Sequence, residues 1–216
     1  MDQVTMDKLI EMIKGDILGV SISKKVDRVF TGITFRYDKE KDEVSYESDI
    51  YNDTTKERKV KNGIITNADQ IANMLAALGL ESVAIETVQS RIAKESKYLS
   101  AKQSMVDKLK NIDLLPEEKA IILEVIDTTC QLGDVVGMGN RVTLNSTPDF
   151  YEHVRLADQS RWSDTGGKLH LQLVQTVEDS SGTKHKNYPF LEFDELVGRI
   201  LESEYFKDKV KNSKKM

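Results

Sequence analysis

The chain has 216 residues, of which 39% are apolar, 31% charged and 6% aromatic, with a net charge of −5. This composition supports a folded core under a solvated surface and excludes collagen-like and proline-rich disordered classes. It also carries no chain-wide basic field for nucleic acid. The single cysteine, Cys130, excludes an intrachain disulfide framework and a thiolate zinc site; its apolar setting, AIILEVIDTTC, reads as that of a buried thiol. Charged residues interrupt the first twenty positions, so no signal peptide is visible. No apolar run reaches the length of about 18 residues that a membrane span needs. The expected location is the cytoplasm, with no membrane partner.

In chain order, residues 4–14 place Met6, Leu9, Ile10 and Ile13 at 3–4 spacing before Gly15, which predicts a short amphipathic helix. Val29, Thr31, Ile33, Phe35 and Tyr37 alternate along one face, then Val44, Tyr46, Ser48 and Ile50 do so after the charged turn DKEKDE. That pair predicts a hairpin. GVSIS before it and ERKVKNGIIT after it extend it toward four strands. Asn67 caps a helix with an Ile71, Met74, Leu75, Leu78 stripe and a stop at Gly79.

A long charged helix runs from about 82 to 110. Ile85, Ile92, Leu99 and Val106 recur every seven residues, whereas the companion positions are Val88, Glu95, Lys102 and Leu109. This seam is apolar at both ends and charged in the middle. It reads as packing within the chain, as self-association, or as a surface for another protein that uses Glu95, Leu99 and Lys102. Pro116 opens a further helix that folds back on the long one as an antiparallel hairpin.

The next segment, QLGDVVGMGN, crowds Gly133, Gly137 and Gly139 together. A Walker loop requires a lysine to reach the outer phosphates, and a dinucleotide fingerprint requires a strand before it and a helix after it. Neither condition holds, so the segment reads as a turn between a helix and a strand. RVTLNS predicts a strand, and PDFYEHVRLADQSRW fits a helix or a strand. KLHLQLVQTV and HKNYPFLEF predict a second hairpin around EDSSGT. A C-terminal amphipathic helix over Phe193, Leu196, Val197, Ile200 and Leu201 precedes a tail containing Lys207, Lys209, Lys211, Lys214 and Lys215. No internal repeat is visible.

These elements predict an α+β fold: two antiparallel β-hairpin regions separated by a long helical hairpin. Boundaries fall as 1–80, 81–135 and 136–216, or all of it forms one domain. Whether the two β regions share a sheet stays open at this point.

No catalytic residue stands out. His170 and His185, on opposite arms of the second hairpin, can share a face but lie roughly 20 Å apart, too far for one metal. His153, with Glu152, Arg155 and Asp158 nearby, reads as part of a surface ion network. One constellation resembles a metal-dependent nuclease: Asp49 or Asp53 on one strand, with Glu57 and Lys59 on the next, would hold Mg²⁺ and support an attacking water. Apart from Mg²⁺ under that reading, no cofactor is expected. Lys56, Arg58, Lys59 and Lys61, with the lysine tail, form the densest basic run and offer phosphate contacts without base-reading motifs. The leading expectation is therefore a non-catalytic protein-interaction or regulatory subunit. The alternatives are the nuclease and a nucleic-acid-binding accessory protein.

Overall fold

A computed structural model describes residues 1–131, 140–158 and 169–213. The glycine cluster at 133–139, the end of PDFYEHVRLADQSRW and the last lysines of the tail lie outside the described residues. Those described comprise helices and two four-stranded antiparallel sheets, an α+β architecture. They divide into two compact units, Met1–Lys94 and Glu95 onward. The division falls inside one continuous helix, whereas the sequence reading set its boundaries near 80 and 135.

In the first unit, α1 (Gln3–Gly15) starts where the Asp2 carboxylate accepts from the Thr5 N–H at 2.8 Å. Strands β1 (Val20–Val26), β2 (Val29–Asp38), β3 (Glu43–Asn52) and β4 (Arg58–Ile65) form a meander with neighbours in chain order. All four strands expected from the sequence are present, in a sheet of their own. Register sets Phe35 opposite both Val20 and Tyr46, and Ile33 opposite both Ile22 and Ser48. One sheet face therefore carries the alternating apolar residues, and α1 and α2 (Ala68–Ala77) supply Leu9, Ile13, Ile71 and Leu75 to the same core. The Asn67 side chain caps α2 through the Gln70 N–H at 3.0 Å. Gly79, at φ +63°, lets the Leu80 N–H return to the Leu75 carbonyl at 2.7 Å and frees the chain to enter α3 (Glu81–Lys110). Ala84 and Val88 of α3 complete this core.

The second unit holds the rest of α3, then α4 (Pro116–Thr129), β5 (Arg141–Ser146), β6 (Phe150–Asp158), β7 (Leu169–Glu178), β8 (Lys184–Asn187), α5 (Phe193–Glu202) and α6 (Glu204–Ser213). Ala101, Met105 and Leu109 of α3 share a core with Ile122, Val125 and Ile126 of α4, and Lys102 pairs with Asp127 at 2.9 Å, so α4 runs back along α3. The sheet is again a meander, with Val154 opposite both Val142 and Leu173. Leu196, Val197 and Ile200 of α5 close this core. The segment that fitted a helix or a strand is strand β6 over its described part.

The two units repeat one element order: a helix, a four-stranded meander, then two helices. In each, the helix before the sheet and the helix after it contribute to the core on one sheet face. Aligning the central positions of the two registers matches Phe35 with Val154, Tyr46 with Leu173 and Ile33 with Glu152. The repeat is one of architecture, and the matched side chains are too different in chemistry to show it in the sequence.

Candidate interaction surfaces

The β3–β4 hairpin carries the residues of the nuclease reading. Asp49 lies opposite Val60, while Lys59 lies opposite Ile50 and Lys61 opposite Ser48. Side chains alternate across a strand, so Asp49 projects from one face and Lys59 and Lys61 from the other. Asp49 is instead held by both nitrogens of the Arg58 fork, at 2.9 and 2.8 Å, and this pairing raises the Arg58 pKa. Asp53 sits in the turn, accepts from Lys56 at 2.9 Å and lies 3.8 Å from Lys25. The Lys56 contact, with Lys25 behind it, keeps the Asp53 carboxyl below its ordinary value. Glu57 takes a long contact of 3.4 Å from the Thr55 hydroxyl. The carboxylates and the lysine that the nuclease pattern needs around one ion are thus not gathered, and no group of three or more His, Cys, Asp or Glu side chains suited to a metal occurs among the described residues. The basic run is likewise split: Lys56 and Arg58 are paired to acids, and Lys59 and Lys61 turn to the other face from Arg58.

The histidines are also separated. His170 lies opposite Ala157 and His185 opposite Val177, seven positions apart on the β7 register, so they belong to opposite faces and do not share one as expected. His185 is tied to Asp179 at 2.8 Å. The surface network expected around His153 also needs correction. Glu152 and His153 are both buried, and they face opposite sides of the sheet.

Helix α3 shows which of its apolar residues its own chain uses. Val88 and Ala101 bound a stretch in which no residue is buried, although the helix is unbroken. Within it, Ile92 is 42% exposed and Leu99 67% exposed. Burial follows the ordinary helical period through Ala84 and Val88, and again through Ala101, Met105 and Leu109. The seven-residue series is left half-covered at Ile85 and Val106 and open at Ile92 and Leu99. Glu95 is half-buried, and Lys102 is paired with Asp127.

A further surface, missed in the sequence, is the face of the second sheet turned away from its core. Arg141 and Arg155 are direct cross-strand partners there. Arg141 lies over the Tyr151 ring at 5.8 Å and Arg155 over the Tyr188 ring at 5.6 Å. Between them His153 is 8% exposed, its ring 5.2 Å from that of Tyr151, and its Nδ1 has no hydrogen-bond partner among the described residues. Burial, followed by the charges of Arg141, Arg155 and Lys186, pushes the His153 pKa below its ordinary value, so its ring is neutral near pH 7. The available signal was the period-2 placement of Tyr151, His153 and Arg155 within a segment that also fitted a helix.

Among the described residues no helix is long and apolar enough to cross a membrane. Compared with family models, curated proteins and solved structures, the chain finds no match.

Proposed function

We propose that the chain is a non-catalytic interaction subunit that pairs with a second copy of itself through α3. The observation that supports this reading is the exposure of Ile92 and Leu99 on a seven-residue repeat of which Val106 packs at the margin of the second unit's core. Isolated surface aliphatics are ordinary. Spaced at seven, however, they fall on one stripe that a second helix can cover. Fully burying a Leu or Ile side chain is worth about 1.5–3 kcal/mol, and a symmetric pair buries two of each.

Charge selects the orientation. A parallel pair sets Glu95 against Glu95 and Lys102 against Lys102, whereas an antiparallel pair sets Glu95 against Lys102. The second arrangement removes the like-charge contact, and an exposed pair such as Lys102–Asp127 gives up little on rearranging. Its two-fold axis then passes close to Leu99.

Introducing a thiol at that point tests the reading. Leu99→Cys should oxidise to a covalent dimer, whereas Ser82→Cys, far from the axis on the same helix, should not. Equal and slow cross-linking of both variants would contradict the pairing.

A further inference from the structure

The repeated architecture gives the outer face of the second sheet an internal reference. In the first sheet that face carries Lys25, Arg36 and Arg58 together with Asp38, Glu43, Glu47 and Asp49, so the carboxylates outnumber the cations, and Arg58 is locked to Asp49. Register alignment matches Arg36 with Arg155, Glu47 with Val174, Asp49 with Thr176 and Val60 with Lys186. Two of the three acids that β3 places on this face, Glu47 and Asp49, are therefore matched by neutral residues, and an apolar position on the edge strand becomes a lysine. Glu178 stands on this face at the far end and pairs with Lys184 at 3.5 Å. Among the described residues, Arg141, Arg155 and Lys186 have no carboxylate partner.

Such an arrangement costs stability in isolation. Like charges directly opposite on adjacent strands repel, as Arg141 and Arg155 do here. The buried His153 adds an unmade hydrogen bond at Nδ1 in the same face. Both costs fall if an anion lies across the strands. Rings stand beside the cations at Tyr151 and Tyr188, the latter exposed, and nucleobases stack both on tyrosine rings and on guanidinium planes.

We propose that this face binds single-stranded nucleic acid, with Arg141, Arg155 and Lys186 contacting phosphates and Tyr151 and Tyr188 stacking with bases. Arg141 on β5 and Lys186 on β8 are three strand spacings apart across the sheet, roughly 14 Å, and four register positions apart along it, roughly 13 Å. A four-stranded sheet of that width displays about two or three bases. The site is independent of the α3 pairing, and its residues differ from the basic run on the β3–β4 hairpin.

The test uses the full chain with a fluorescein-labelled oligouridine, the same length of oligothymidine, and a duplex of equal length, read by fluorescence anisotropy. Single strands should bind more tightly than duplex. Three phosphate contacts give a log–log salt slope of about −2, so affinity should fall roughly twentyfold from 50 to 200 mM salt. Arg141→Gln with Arg155→Gln should weaken binding at least tenfold, and Tyr188→Leu should weaken single-strand binding alone. Arg58→Gln should leave it unchanged, with circular dichroism confirming that every variant is folded. Three results would each overturn the proposal: no binding at 50 mM salt, equal loss in Arg58→Gln, or competition by polyglutamate as effective as that by oligouridine at equal charge.

Discussion

Glu152 of β6 and Arg199 of α5 are joined through the core side of the second sheet, with Arg199 Nε 3.1 Å from Glu152 Oε1. The carboxylate is fully buried. Gln175 donates to the same oxygen at 2.9 Å, and Asn145 donates to Oε2. Asn145 in turn accepts from the Glu204 N–H at 3.0 Å, the first turn of α6. One buried acid thus links three strands to both C-terminal helices. Its position matches Ile33 of the first unit, an apolar residue packed in that unit's core.

Removing one partner leaves the others unpaired in a buried site. Arg199→Ala should destabilise the chain by about 3 kcal/mol, and Glu152→Ala by at least as much. Glu152→Gln, which keeps one amide oxygen for Arg199 and Gln175 but turns its NH2 toward the Asn145 amide, should cost less than Glu152→Ala. Urea denaturation checks the order, and a double-mutant cycle should show strong coupling of the two residues. Additive effects would mean that the contact contributes little.

His153 makes stability depend on pH. Its pKa is lowered in the folded state from the ordinary 6.5, first by burial and then by Arg141, Arg155 and Lys186. Below pH 6.5 the unfolded chain therefore binds a proton that the folded chain does not, and stability falls with pH until the lowered folded value is reached. Above pH 6.5 the group contributes no slope. Thermal melts of the wild type and His153→Gln between pH 5 and 8 should differ in slope only on the acidic side.

Cys130 is buried, and burial pushes its thiol up to about 11. At pH 8 it should react with an aromatic disulfide reagent only as the chain unfolds, much more slowly than in urea. Fast labelling of the folded protein would place a thiolate where the structure has a protonated, shielded thiol.

Two glycines give a graded test of the first unit. At Gly79, with φ +63°, an added Cβ meets only the flexible end of Lys24 at 3.0 Å, so Gly79→Ala should cost about 1 kcal/mol from backbone strain. At Gly19, with φ +87°, the Cβ falls 2.3 Å from the Phe35 carbonyl oxygen, which the central register holds in place. Gly19→Ala should be clearly worse in the same denaturation series.

The elements most legible in the sequence were those whose local signals agree. Asn67 and Gly79 mark the ends of α2 by side-chain chemistry and positive φ, and the alternation through Ile33 and Phe35 states which face is buried. Strand β6 was obscured because its core face reads Glu152, Val154, Leu156, and a buried acid breaks the pattern. The acid's partners, Asn145, Gln175 and Arg199, come from three other elements, so nothing local announces it. The cationic face of the second sheet was hidden for the same reason. Arg141, Arg155 and Lys186 are dispersed over 46 positions and converge only through strand register, whereas the conspicuous run Lys56, Arg58, Lys59 and Lys61 divides between two faces. Along α3 the seven-residue spacing was visible, but its exposure was not, because Ala84 and Ala101 take the buried positions without standing out as apolar anchors.

The most direct test of the account is sedimentation equilibrium across a wide concentration range, comparing the wild type with Leu99→Lys and Val4→Lys. The α3 pairing predicts a monomer–dimer equilibrium for the wild type and for Val4→Lys, whose exposed valine lies on α1, and a monomer for Leu99→Lys. A wild-type chain that stays monomeric at every concentration, or a dimer that persists in Leu99→Lys, would contradict it.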